Sequence, residues 1–168
     1  MQPETLLHNI IAPALRLLPP ALDIHEACAM LVGIALQESE LCARVQVLDA
    51  GKPWWESRPG AAHGLWQFER GGGVTVVLGN PKTRALVDPV LAELCYPPDA
   101  TIIHDALIHN DLLACVFARA LLYSAPWPLP KRGDDAESWR QYQWCWRPGK
   151  PEEHKWEANY SRAWRTIA

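Results

Sequence analysis

The chain has 168 residues, of which 49% are apolar and 21% charged, and its formal net charge at pH 7 is -3. This length suffices for one domain with its own core, so a single domain over residues 1–168 is expected. The negative charge and the lack of a basic run argue against a nucleic-acid-binding protein, because such proteins neutralise phosphates with clustered lysine and arginine.

The sequence leads us to expect neither a membrane span nor an export signal. No run reaches the ~18 apolar residues that a membrane span requires. The N-terminal stretch MQPETLLHNIIAPALRLLPP lacks a basic leader and carries Glu4 early, unlike a secretory signal. We therefore expect no membrane span, and synthesis in the cytoplasm without an export signal.

Tryptophan, proline and cysteine are the informative residue types. The nine tryptophans indicate an aromatic core, a surface that stacks on sugar rings, or both, and the 15 prolines exceed the usual share. The five cysteines are far apart and include no Cys-x-x-Cys pair, which predicts reduced thiols.

The first third of the chain predicts two helices. Periodic apolar residues indicate a helix over Thr5–Leu18 with a kink at Pro13. Asp23, followed three residues later by Glu26, resembles a capping box and should open a second helix that runs to about Cys42.

The rest of the chain predicts a long loop followed by helices. Residues Ala43–His63 are expected to be irregular, with or without a short hairpin, and loops of this length are often functional. The GGG at Gly71–Gly73 predicts a flexible turn, and VTVVLGN is ambiguous between strand and helix. Further helices are predicted at residues 82–95, Asp99–Tyr123, Asp134–Trp146 and Glu152–Thr166. The expected class is mostly α.

Glu38, in the stretch GIALQESELC, falls on the face of the second helix that should be buried. The apolar residues of that face recur three or four positions apart, at Ile24, Cys28, Leu31 and Ala35. Burial raises the pKa of a carboxyl group, and one still protonated near neutral pH can donate a proton to a leaving group. Alternatively, Glu38 marks where this face reaches solvent, or pairs with an arginine such as Arg44 or Arg70.

The residues after Glu38 resemble the signature of the lysozyme-like lytic transglycosylases. That family has Glu-Ser at a helix end, a loop, and then Gly-Leu-Met-Gln. This chain has Glu38-Ser39 and then GLWQ at Gly64–Gln67. The family's third motif, Ala-Tyr-Asn-Ala-Gly after a long helix, has its nearest match in LYSAP at Leu122–Pro126, where Ser and Pro replace Asn and Gly. The resemblance to the family covers roughly Ile24–Pro126. A further resemblance, to compact bacteriophage members of the family, is weaker.

The resemblance implies a lysozyme-like fold, with helices around a central catalytic helix and a long irregular loop or small hairpin. It implies that Glu38 is the catalytic acid and then base. It also implies a set of substrate-binding residues: Ser39, Gly64, Trp66, Gln67 and Tyr123.

Each of these residues has an implied role. Ser39 would orient the site or the substrate, and Gly64 would let backbone and sugar come close. Gln67 would line the cleft, and Tyr123 would place its hydroxyl near Glu38. Trp66, which replaces the family's Met, would stack on a sugar or fill the core.

The implied reaction needs one carboxyl group. The 6-hydroxyl of N-acetylmuramic acid attacks its own anomeric carbon, while the glutamate protonates the glycosidic oxygen and then accepts the hydroxyl proton. Hydrolysis would need a second carboxylate, for which Asp49, Glu56 and Glu69 are candidates. The sequence thus predicts a peptidoglycan lytic transglycosylase that uses no cofactor, with hydrolytic lysozyme as the enzymatic alternative.

A non-catalytic structural or wall-binding module with the same fold is the alternative from another class. The altered third motif and the acidic charge, which is unfavourable for approaching an anionic wall, support it. The expected partners are peptidoglycan glycan strands, reached after lysis or from a virion, with possible virion or tail proteins.

The sequence alone does not assign a role to the paired tryptophans on the loop or to His63, and it predicts no metal site. Trp54-Trp55 on the loop would either stack on sugars or anchor the loop. His63, beside the second motif, would either touch substrate or be incidental. His104 and His109 lie five residues apart, which is not the i,i+4 spacing of a helical metal pair, so no metal site is predicted.

Overall fold

The computed structural model describes residues 1–48, 51–52, 56 and 59–167, and the protein is mostly helical with a small sheet, as the sequence predicts. The α-helices are α1 (Pro3–Leu6), α2 (Ala12–Leu15), α3 (His25–Ser39), α4 (Thr75–Gly79), α5 (Pro81–Glu93), α6 (Ala100–Ala106), α7 (Asp111–Tyr123), α8 (Asp135–Trp146) and α9 (Glu153–Ile167). The strands are β1 (Val45–Val47), β2 (Pro59–His63) and β3 (Phe68–Glu69), which form an antiparallel sheet in that order.

The N-terminal helical segment has an irregularity before Pro13, and Pro13 itself lies within α2. The backbone stays helical from α1 to α2, but Leu7–Ile11 between them forms a π-helix. Proline has no amide hydrogen to donate and its ring crowds the preceding turn. The altered hydrogen bonding thus lies in the turn before the proline.

Helix α3 is the central helix of the fold. Every residue from Ala27 to Leu36 is buried, so other elements surround this part of the helix. Its most extensive contact is with α9, and a Cβ atom at Gly33 would lie 3.6 Å from the ring of Tyr160, in ordinary van der Waals contact. A side chain that extends beyond Cβ at this position would therefore meet α9.

Both ends of α3 differ from the prediction. The capping box at Asp23 is wrong: Ile24 is the N-cap residue, and no side chain in the described part of the chain caps this end. The helix ends at Ser39 because Glu40 and Leu41 adopt left-handed conformations, with φ of 50° and 58°. Cys42 therefore lies beyond the helix.

The segment after α3 forms the hairpin that the sequence left open. Val45 of β1 pairs with His63 of β2, and His63 pairs in turn with Phe68 of β3. Arg44 anchors the start of this segment to α7 through two bonds to Asp111, Nε to Oδ1 at 3.0 Å and Nη2 to Oδ2 at 2.6 Å. Predictions on Asp49 and on Trp54-Trp55 lie outside the described residues.

The single long helix predicted over Asp99–Tyr123 is wrong. The chain forms two helices, α6 and α7, because Asn110 caps a new helix by accepting a hydrogen bond from the Leu113 amide at 3.0 Å. Asp99 caps α6 in the same way, by accepting from the amides of Thr101 and Ile102. An N-cap side chain fixes where each helix starts, so periodicity alone overestimated the length.

The remaining elements follow the predicted order. The valine-rich stretch forms α4. Gly71–Gly73 lie in the segment Arg70–Val74, whose helical backbone is broken at Gly72, with φ of -101° and ψ of -111°. Helices α8 and α9 start and end within one residue of their predicted bounds, and their aromatic faces meet.

All five cysteines are free thiols, as the sequence predicts. Within the described ranges, no helix has both the length and the apolar character that crossing a bilayer requires.

Candidate active site

A cavity of about 790 Å³ lies at the C-terminal end of α3. The sheet, the glycine-rich segment, α8 and the loop between α8 and α9 form its walls. Its volume falls within the usual range for small-molecule sites. The lining residues with polar or aromatic side chains include Gln37, Glu38, Gln46, Gln67, Glu69, Tyr142, Trp144, Trp146, Arg147 and Lys150.

Glu38 projects into this cavity from the last turn of α3. Burial raises the pKa of its carboxyl group from 4.5 to about 7; a hydrogen bond from Tyr142 opposes the rise, and the negative charge of Glu69 adds to it. Arg44 and Arg70, the predicted ion-pair partners, instead bind Asp111 and Thr101. The pKa of Glu38 therefore lies near neutral pH, where the carboxyl group can act as a proton donor.

Tyr142 of α8 holds the Glu38 carboxyl group. Its hydroxyl donates to Glu38 Oε1 at 2.6 Å. The ring is stacked on Trp156 at a centroid distance of 4.7 Å and lies 5.3 Å from the ring of Trp139. Burial and the nearby Glu38 raise the pKa of the phenol, so it stays a neutral donor. Packing on several rings fixes the position of this donor.

Removing the Tyr142 hydroxyl should change the pH dependence of any reaction that uses Glu38 as an acid. In Tyr142→Phe, the ionised carboxylate loses a hydrogen bond, so the pKa of Glu38 rises further. The alkaline limb of the rate profile should then move to higher pH by about one unit, the size of a hydrogen bond to a charged group. Tyr123→Phe is the matched control and should leave the profile unchanged; a shift in the control alone would contradict the assignment.

The Gly64–Gln67 turn links the end of α3 to α8 beside the cavity. The Gly64 carbonyl accepts from the Gln67 amide at 3.0 Å and from Gln67 Nε2 at 2.9 Å. The Leu65 carbonyl accepts from Ser39 Oγ at 2.7 Å, and the Trp66 carbonyl accepts from Trp146 Nε1 at 2.8 Å. One turn is thus tied to both α3 and α8.

Of the residues implied by the resemblance, Gln67 lines the cavity with Glu38. Ser39 is buried and its Oγ donates to the Leu65 carbonyl, so its hydroxyl does not line the cavity. Gly64 has a φ of 76°, and a Cβ atom there would come 2.8 Å from the Leu107 carbonyl oxygen. The close approach at Gly64 is therefore to protein backbone and not to a sugar.

Trp66 and Tyr123 do not contact the cavity as substrate-binding residues would. The Trp66 side chain is 0% exposed and its Nε1 donates to the Leu31 carbonyl at 2.9 Å, so it fills the core. Tyr123 is 45% exposed, and the hydroxyl beside Glu38 belongs to Tyr142 instead. The third motif therefore does not supply the residue that the resemblance implied.

Tyr142 was missed because it lies 104 residues from Glu38, outside the matched motifs. One signal was present: on α8 it falls between Trp139 and Trp146, three and four residues away, on one helix face. A hydroxyl within such an aromatic face needs a hydrogen-bond partner when buried, which makes it a candidate for a polar contact in the site.

Of the second carboxylates predicted from the sequence, Glu69 lies in the cavity lining as far as the chain is described. Its side chain is exposed there, and its charge raises the pKa of Glu38. Glu56 is exposed and outside the cavity lining as far as the chain is described. Glu152 also lines the cavity, but it binds Lys155 Nζ at 2.8 Å.

The wall formed by α8 and the following loop carries an exposed aromatic ring and two cations. Trp144 is 37% exposed in the cavity lining, and its ring packs against Trp127 at a centroid distance of 5.8 Å. Arg140 lies 4.2 Å over the Trp127 ring and supports that pair. Arg147 and Lys150 are exposed on the same wall. This wall can stack on a sugar ring and attract anionic groups.

A second group of chemically active side chains lies beside the sheet. His63, His104 and Asp105 each offer one ligand atom, and these atoms lie within 4.8 Å of one another. Burial and the neighbouring His63 lower the pKa of His104. His104 therefore lies beside His63, and not beside His109, with which its spacing was considered above. Within the described ranges, His63, His104 and Asp105 form the group whose donor atoms suit a metal ion.

Comparison with known proteins identifies no relative of this chain. No protein-family model, curated protein or solved structure matches this chain. What the cavity can do therefore follows from the placement of Glu38, Tyr142, Glu69 and the residues of the α8 wall.

Proposed function

We propose that this protein is a peptidoglycan lytic transglycosylase with a lysozyme-like fold, and that it cleaves the β-1,4 bond between N-acetylmuramic acid and N-acetylglucosamine. One observation carries the proposal: a carboxyl group with a pKa of about 7, held by a phenol, at the edge of a cavity of about 790 Å³. Glycoside cleavage needs such an acid near neutral pH.

Glu38 serves twice in the proposed reaction. The protonated carboxyl donates to the glycosidic oxygen, so the bond to the anomeric carbon breaks and N-acetylglucosamine leaves. The Glu38 carboxylate then accepts the proton of the muramic acid 6-hydroxyl while that oxygen bonds to the anomeric carbon. Tyr142 holds the carboxyl group in both steps. The products are a 1,6-anhydromuramic end and a free N-acetylglucosamine end.

The architecture supports the lysozyme-like fold in this proposal. A buried central helix, α3, ends at the acidic residue, and a small antiparallel sheet follows it in the chain. The cavity lies between that sheet and the helical part formed by α8. The central helix and the small hairpin are features that the sequence resemblance implies.

The direct test is a clearing assay on purified cell walls, followed by mass spectrometry of the soluble fragments. The wild-type protein should clear the suspension and release 1,6-anhydromuramic ends. A protein that binds walls and releases no fragments would instead be the non-catalytic wall-binding module.

Hydrolysis is the second candidate reaction, and Glu69 is the observation that favours it. Glu69 shares the cavity with Glu38 and can activate a water molecule as the second carboxylate of a hydrolase. In that case the fragments carry reducing muramic ends, and Glu69→Gln lowers the rate as strongly as a change at Glu38. Under transglycosylation, Glu69→Gln changes the rate only through the pKa of Glu38.

Trp144 should provide a stacking surface for one sugar ring. Its exposed face in the cavity suits the apolar face of a pyranose. Trp144→Ala should raise KM roughly 3- to 10-fold with a smaller change in kcat, the range expected for loss of one ring contact. Trp144→Phe keeps an aromatic face and should retain most of the affinity. An equal KM in all three proteins would remove Trp144 from the binding surface.

A further inference from the structure

His63 lies at the end of β2, and His104 and Asp105 lie on the neighbouring helix α6. The two imidazole rings are stacked with centroids 3.8 Å apart and planes inclined by 17°. A smaller cavity of about 340 Å³ adjoins them, and its other lining residues include Gly71 and Thr101. The group therefore opens to solvent through this cavity, whose lining also includes the charged residues Glu69 and Arg70, and Glu69 lines the larger cavity as well.

Hydrogen bonds to backbone carbonyls fix which ring nitrogens carry hydrogen. His104 Nε2 lies 2.9 Å from the Ala61 carbonyl oxygen and 3.0 Å from that of Phe68. His63 Nδ1 lies 3.0 Å from the carbonyl oxygen of His104. Because a carbonyl oxygen only accepts, these two nitrogens are the protonated ones. In the neutral rings, His104 Nδ1 and His63 Nε2 therefore have free electron pairs.

The free electron pairs belong to a group that also contains a carboxylate. His104 Nδ1 lies 3.9 Å from Asp105 Oδ1. As neutral rings, the two histidines cannot donate to each other or to the carboxylate while keeping their carbonyl partners. A cation placed among the three donors would engage all of them without disturbing the carbonyl bonds of His104.

We propose that this group binds one divalent transition-metal ion of the zinc type, through His63 Nε2, His104 Nδ1 and the Asp105 carboxylate. Two imidazole nitrogens favour such an ion over magnesium or calcium, which prefer oxygen ligands. The bonds to the Ala61 and Phe68 carbonyls form the outer shell that orients the His104 ligand. Water from the adjoining cavity completes the coordination.

Binding requires the two rings to leave their parallel arrangement, because electron pairs in stacked rings do not point at one atom. His104 is buried and held by two carbonyls, whereas His63 is half-buried and held by one. The His63 ring is therefore the one that turns. The bound ion then links the end of β2 to α6, independently of the reaction proposed for Glu38.

The test is a titration of the chelator-treated full chain with Zn²⁺ by calorimetry and with Co²⁺ by visible absorption. We expect one ion per chain, a visible Co²⁺ band and a higher Tm with Zn²⁺, because a ligand that binds only the folded state stabilises it. His63→Ala and Asp105→Asn should each weaken binding at least about 10-fold, the lower limit for disturbing a metal's ligand shell.

His109→Ala is the matched control, since His109 is an exposed histidine just after α6. This variant should bind Zn²⁺ as the wild type does. The proposal is overturned if the wild type binds no ion, if the ion binds equally well without His63 and Asp105, or if only a proton is taken up by the group. Peptidoglycan clearing is not needed for any of these measurements, so failure here leaves the Glu38 proposal standing.

Discussion

Glu38→Gln should lower the rate of peptidoglycan clearing at least about 100-fold, the lower range of what a general acid contributes. Glutamine has nearly the same shape, and its amide oxygen can still accept the hydrogen bond from Tyr142. It cannot donate an acidic proton to the glycosidic oxygen or accept one afterwards. The loss should therefore appear in kcat, with little change in binding to the wall.

Glu56→Gln is the matched control for this experiment, because Glu56 is exposed and outside the described lining of the cavity. It removes the same charge and should clear walls at the wild-type rate. Clearing by Glu38→Gln within a few-fold of the wild type would refute the role of Glu38. Both variants should keep the wild-type far-UV circular dichroism, which separates a chemical defect from a folding defect.

The same substitution should stabilise the protein at alkaline pH. The pKa of Glu38 is raised from 4.5 to about 7, so the folded chain holds this proton more tightly than the unfolded chain does. The wild-type free energy of unfolding therefore falls as pH rises from about 4.5 to about 7, and the Glu38 contribution is constant above that. Glu38→Gln removes this dependence, so its advantage at pH 8 should reach up to about 3 kcal/mol.

Urea unfolding of wild type and Glu38→Gln at pH 4, 6 and 8 measures this effect. The two curves should nearly coincide at pH 4 and separate progressively by pH 8. Glu56→Gln should stay parallel to the wild type throughout. Parallel curves for Glu38→Gln would mean that the carboxyl group ionises as freely in the folded chain as in the unfolded chain, and the acid role would lose its basis.

Local patterns in the sequence placed Glu38 near the end of an apolar helix but did not identify its face. From Ala27 to Leu36 α3 is buried on every side, and Ile24, the first residue of the predicted face, is 41% exposed. The bounds of α8 and α9 did follow from apolar periodicity. These predictions succeed because the burial of a helix face depends mainly on residues three and four positions apart.

Contacts between distant segments were not accessible in the same way. Tyr142 reaches Glu38 only because α8 packs beside the end of α3, and no local pattern encodes that position. The break at Asn110 was missed because an N-cap residue competes with continued helical periodicity. The sequence did not decide whether Trp66 fills the core or stacks on a sugar, because a tryptophan suits both places. The structure shows that it is fully buried.

The hydrogen bonds of the Gly64–Gln67 turn preorganise the region around Glu38. Ser39 from α3 and Trp146 from α8 donate to adjacent carbonyls of this single turn, so the ends of the two helices are held together at the cavity. Under the proposed function, a glycan strand would meet a site that is already assembled, and its affinity would not depend on a closing motion.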